Sequence, residues 1–190
     1  MLRVSDAAGA AYRKFEADFI FLKDWLSDAE SIFNATRGVG ARSTVVERMF
    51  LIQNAACVFG VSSIEYFLKG LVAAQTGVWP DTNVNDLRDA ERLLRPAWLI
   101  SLGAILQRRI PHLRFLFAWR HLIVHNGNVP DARFRRRISD IWGPVAAAGW
   151  TRGRAVDLDP FKTRDLLDNA ETCGRLIYEA IRKRIAPQSP

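Results

Sequence analysis

Residues 44–76 read TVVERMFLIQNAACVFGVSSIEYFLKGLVAAQT. Thr44 and Glu47 stand three apart ahead of an apolar run. This is the spacing of a capping box, in which the hydroxyl and the carboxylate each satisfy a backbone N–H of the first helical turn. The run that follows is apolar on nearly every side of a helix, and such a helix belongs at the centre of a bundle. Gly77 and Pro80 end it. The longest stretch without a charge, Met49 to Ile64, holds Gln53, Asn54, Ser62 and Ser63. It is shorter than the ~18 residues a membrane helix needs, so no membrane association is expected.

On the N-terminal side, Tyr12, Phe15, Phe19, Leu22, Leu26, Ala29 and Phe33 follow helical steps of three and four. They predict one long amphipathic helix from about Asp6 to Asn34. The stretch ATRGVGARS between the two helices has two glycines and no periodicity, and reads as a loop. On the C-terminal side, Leu87, Leu93 and Leu94 predict a short helix closed by Pro96, followed by the apolar piece AWLISLGAIL. Pro111 marks a break or a new start, because proline cannot sit inside a helix without losing a hydrogen bond. A further helix is predicted from about His112 to His125, ended by Asn126 and Gly127. Residues 127–159 mix charge, glycine and proline, and leave short helices and hairpins both open. Asp159–Pro160 then offers an N-cap followed by proline at the first helical position. Leu166, Ala170, Cys173, Ile177 and Ile181 line one face of a last helix over about 160–185.

With no strand alternation and no repeat, the chain reads as one all-α domain over 1–190, a bundle of four main helices plus a short one. Its 190 residues suffice for one real core. Two distant cysteines, Cys57 and Cys173, fit neither a disulfide scaffold nor a metal site and read as buried thiols in a reducing compartment. With no apolar leader at the N-terminus, a cytoplasmic location is expected. The net charge of +7, with arginine well ahead of lysine, attracts phosphates and makes nucleic acid a natural partner.

The chemistry concentrates in residues 115–131, FLFAWRHLIVHNGNVPD. Arg114, Arg120, His121 and His125 are set into an otherwise apolar helix. Polar groups there must be paired, or must face a cleft or a partner. Two of the three histidines of the chain stand here, and histidine moves protons near neutral pH. There is no Gly-rich phosphate loop, no His-Glu-x-x-His motif and no paired-cysteine spacing. His121 and His125, four apart, could share a metal, but no third ligand stands out, so neither metal nor other cofactor is expected.

RHLIVHNG, residues 120–127, resembles the motif of the HEPN superfamily: an Arg, four to six residues, then a His, at the end of a bundle helix. His121 fits the polar residue that often follows the Arg, and Asn126 the Asn that often follows the His. The apolar helix carrying SIEYFLKGL, and the final helix that starts near VDLDP, extend the resemblance over about residues 44–185. It implies a dimerising helical bundle in which two motif helices line one cleft. It also implies metal-independent RNase activity in a toxin–antitoxin or defence setting, with an antitoxin or other operon-encoded protein as a further partner. Other HEPN members are non-catalytic modules that dimerise or bind a partner or nucleotide. Some HEPN toxins are silenced by nucleotide transfer to a Tyr two residues beyond the His. Gly127 stands there in this chain, so that control is not expected.

Under this reading Arg120, His125 and His121 are the catalytic candidates, with Arg120 clamping phosphate through its planar fork. Asn126 and Arg114 are candidates to position RNA. Arg133, Arg135, Arg136 and Arg137, with an interleaved Phe134, suit phosphates and stacked bases, as do Arg152 and Arg154. Residues five apart on a helix point about 140° away from each other. Arg120 and His125 therefore do not share a face, whereas Arg114, His121 and His125 nearly do. Either Arg120 reaches around, or the helix loosens near Asn126, or the site is assembled across a dimer. A non-catalytic reading would instead pair Arg120 internally with Glu65 or Glu47.

Overall fold

The computed structural model describes residues 3–36, 43–150, 153, 156, 158 and 160–185. The chain forms an all-α bundle, with no strand among the described residues. Its helices are α1 (Val4–Thr36), α2 (Ser43–Thr76), α3 (Leu87–Trp98), α4 (Leu102–Leu106), α5 (Ile110–Asn126), α6 (Ala132–Trp142), α7 (Pro144–Ala148) and α8 (Pro160–Ile185). The four long helices and the short α3 are those expected. The stretch that left helix and hairpin open is helical in α6 and α7. The proposed N-cap Asp159 and most of the loop ATRGVGARS lie outside the described residues, as do Arg152 and Arg154.

Helix α2 sits at the centre, packed against α1, α3, α5 and α8. By length and composition alone it could cross a membrane. Its core-facing residues are instead buried within the bundle, from Ala56 and Cys57 through Phe67 to Leu71, which is compatible with a soluble protein. Helices α1 and α2 run antiparallel: Phe15 meets Phe67, with ring centroids 4.6 Å apart, while Trp25 meets Phe59 at 6.2 Å. Helix α8 returns along α1, with Tyr178 stacked on Tyr12 at 4.3 Å and Glu171 bonded to Lys23 Nζ at 2.7 Å. Two glycines set this spacing. A Cβ on Gly174 would come within 2.2 Å of the Phe15 ring, and one on Gly60 within 2.6 Å of Leu167 Cδ2. Cys57 and Cys173 are free and buried, and burial pushes their thiols up to about 12 and about 11.

Helix α3 does not close at Pro96, as expected from the sequence, but runs on to Trp98. The missing N–H of Pro96 is affordable so near the end. Leu99 then turns left-handed (φ 53°) and donates its N–H to Arg95 O, while the Trp98 indole donates to Leu71 O at 3.0 Å. Pro111 lies in the first turn of α5, where its missing N–H has no helical partner to lose.

Candidate functional site

Helix α5 stays regular to Asn126 and stops at Gly127, whose φ of 53° lets its N–H return to Leu122 O. Five residues later α6 begins, capped by Asp131, which accepts from Phe134 N at 2.6 Å. A buried aromatic cluster fixes α6 on α5: Trp119 lies 6.0 Å from Phe134 and 5.7 Å from Trp150, centroid to centroid. Phe115 lies 4.8 Å from Trp142.

This packing leaves one flank of α5 facing one flank of α6. On α5, Arg114, Ala118, His121 and His125 fall at steps of four, three and four, and so share a face. The His121 and His125 rings are 4.5 Å apart. His121 is held below its ordinary value, first by burial and then by the charges of Arg137, Arg133 and His125, with Asp131 opposing. Burial and Arg133 likewise lower the Arg137 guanidinium, against Asp86 and Asp131. The Asp131 carboxyl is lowered chiefly by the Phe134 N–H, against burial. Asn126 and His121 add to the lowering. Among the described residues the buried amide nitrogen of Asn126 has no hydrogen bond of normal geometry, Asp131 being its nearest acceptor by electrostatics.

Next to these residues, α3, α5 and α6 enclose a hollow of about 310 Å³ lined by Arg88, Arg114, Arg133, Arg136 and Arg137. Arg114 and three of the four arginines read from the sequence at 133–137 therefore come together. Arg135 does not join them; it lies on the other flank of α6, its Nε buried without a hydrogen bond. Arg88, which sequence reading missed, comes from a helix start 26 positions before Arg114, and no local pattern marks it.

Arg120 is elsewhere. Because α5 is regular through its last turn, loosening near Asn126 does not bring Arg120 round to His125. Nor does Arg120 line the hollow. Its Nε is buried without a hydrogen bond, and among the described residues it makes no ion pair. Glu65, one partner considered for it, instead accepts from Lys69 Nζ at 3.0 Å and Val84 N at 3.3 Å.

Among the described residues no three His, Cys, Asp or Glu side chains group closely enough to hold a metal ion. What the site offers is an imidazole pair and a cluster of guanidinium groups: proton transfer beside positive charge, the needs of chemistry at a phosphodiester. No family model matches the chain, and neither a curated protein nor a solved structure matches it.

Proposed function

We propose that this chain is a metal-independent endoribonuclease of the HEPN type, dimeric and cytoplasmic, serving a toxin or defence system under an antitoxin or other operon-encoded partner. The observation that carries the reading is the His121–His125 pair, 4.5 Å apart, with His121 under the field of Arg133 and Arg137.

RNA cleavage without metal moves two protons. The 2′-oxygen attacks phosphorus as its proton passes to a base, and the 5′-oxygen leaves as an acid protonates it. The products are a 2′,3′-cyclic phosphate and a 5′-hydroxyl. His121, favoured in its neutral form, is suited to take the 2′-hydroxyl proton, leaving His125 to serve the leaving group. The opposite assignment exchanges the two roles without changing the balance. Arg133 and Arg137 stabilise the charge that develops on the phosphorane. Arg120, on a different face of α5, enters this scheme as Arg120 of the partner subunit, across a dimer cleft. Asn126, with a donor still unspent, is suited to a phosphate oxygen. A non-catalytic module would use Arg120 in an internal ion pair, and among the described residues there is none.

The test is cleavage of total tRNA and a labelled single-stranded RNA in EDTA by wild type and His125→Ala, with dimerisation checked alongside. EDTA-resistant cleavage by wild type, lost in a folded and still dimeric variant, is expected. Equal cleavage by both proteins would sink the site, and no cleavage by either would favour the binding-module reading.

A further inference from the structure

Beyond the arginine hollow, and sharing Leu87, Arg88 and Arg114 with it, lies a second and larger one of about 610 Å³. Arg92 and Arg95 of α3 line its far side. The two hollows and the histidine face thus form one basic valley. It runs from Arg95 and Arg92, past Arg88 and Arg114, to Arg137, Arg133 and the His121–His125 pair.

The acids along this valley are largely committed to the backbone. Asp86 caps α3, accepting from Arg88 N at 2.9 Å and Asp89 N at 3.1 Å. Glu91 accepts from Leu102 N at 2.6 Å, at the start of α4. Asp131 caps α6. Each of these carboxylates is bonded to the backbone at a helix start, and Asp86 and Asp131 only partly offset the Arg137 guanidinium from there. Among the described residues Arg92 alone of the valley arginines has a carboxylate in ion-pair range, Asp89 at 3.4 Å, and Asp140 stands exposed at the rim. Arg88, Arg95 and Arg114 have no ion pair among the described residues.

Length argues for an extended ligand. Arg114 and His125 are eleven residues apart on one helix, about 16 Å along its axis. Arg95 lies beyond Arg114. Phosphates follow one another every ~3.4 Å along a stacked strand, so this span covers several of them. A free nucleotide would fill one hollow and leave the other arginines unused.

We infer that Arg88, Arg95 and Arg114 form a distal anion subsite, which holds the backbone phosphate of a single-stranded polynucleotide several nucleotides from the histidine pair. The inference rests on the proposed function for the identity of the strand as RNA, but the subsite acts in binding and does not need cleavage.

The experiment is fluorescence anisotropy with 2′-O-methyl RNA, which lacks the attacking hydroxyl and stays intact. The probes are a trinucleotide, a strand of roughly a dozen nucleotides, and ATP as competitor. The proteins are wild type and the double variant Arg88→Ala/Arg95→Ala. Both residues are exposed on α3, so the variant keeps its fold, which circular dichroism verifies. The variant should bind the long strand about tenfold more weakly, with the slope of log affinity against log salt reduced by about 1.4, two phosphates' worth for a single strand. The trinucleotide should bind both proteins alike. Equal weakening for both lengths, or for neither, overturns the distal subsite. Competition by ATP that is as strong as the long strand and lost in the variant overturns the strand in favour of a free nucleotide. If wild type cleaves no RNA yet passes this test, the proposed function falls and the subsite stands.

Discussion

On the α1–α8 side of the bundle, the cations at the helix contact are matched by acids. Lys23 reaches Glu171 at 2.7 Å and Asp168 at 3.4 Å, Arg164 grips Glu30, and Lys14 reaches Asp18 at 2.8 Å. On the α5–α6 side, Arg114, Arg133, Arg136 and Arg137 crowd one hollow, and among the described residues none has a carboxylate within ion-pair range. Both sides rest on the same continuous core. Packing therefore does not explain the difference; the distribution of acids does. Surface ion pairs contribute little to stability each, so the matched side loses little if one is broken. The unmatched side holds like charges together at a cost, and that cost is recovered when an anion arrives. Clustered charge without internal partners points to a ligand that lies outside the chain.

The largest test of this contrast removes the support beneath the unmatched side. Trp119 is 1 % exposed and touches Phe115, Phe134 and Trp150. Trp119→Ala should cost about 3–5 kcal/mol, read as a lower midpoint in urea. A loss below about 1 kcal/mol would mean that α6 does not depend on this cluster, and that the arginine hollow is not held rigidly.

A smaller effect sharpens the electrostatics. Asp131→Ala should cost about 1 kcal/mol through loss of the α6 cap. It also removes a carboxylate that raises the His121 pKa, so the His121 midpoint followed by NMR should move further below 6.5. Arg137→Ala should move it up. Because the fold disfavours protonated His121, the unfolded chain takes up this proton first as pH falls. The contribution of His121 to stability is therefore present above about pH 6.5 and is lost as pH falls through its lower folded value. A rise with Asp131→Ala, or a fall with Arg137→Ala, would show that the charges assigned to this face are not those felt by His121.

The smallest effects compare the sides directly. Glu171→Gln and Arg136→Ala should each change stability by no more than about 1 kcal/mol in thermal unfolding. Only Arg136→Ala should weaken retention on a phosphate or RNA column at low salt. Equal retention of the two variants would dissolve the contrast.

The bundle was largely legible because α1, α2 and α8 run for seven turns or more, and α1 and α8 carry their apolar residues at helical spacing. Helix α6 was not, although Phe134, Ile138 and Ile141 have that spacing. Four arginines interrupt it, and Pro130, Gly143 and Pro144 bracket it, so the short period was masked by breakers. The face shared by Arg114, His121 and His125 followed from 100° per residue alone, as did the separation of Arg120 from His125. The contribution of Arg88 depends on how α3 docks, and Pro96, which suggested an earlier stop, is tolerated because its helix has only two residues left to run.

The turn at residues 127–131 acts as a gauge of register. It sets His121 in the field of Arg133 and Arg137, and the two histidines and the two arginines share a four-residue pitch on helices joined by a short link. One residue inserted within α6 between Phe134 and Arg137, with Phe134 still packed on Trp119, would swing Arg137 by about 100° around α6 and off the imidazole face. The arrangement can therefore be written as a linear word, His-x3-His-x7-Arg-x3-Arg. A chain that spells it across two helices packed in this way has the spacing this face requires.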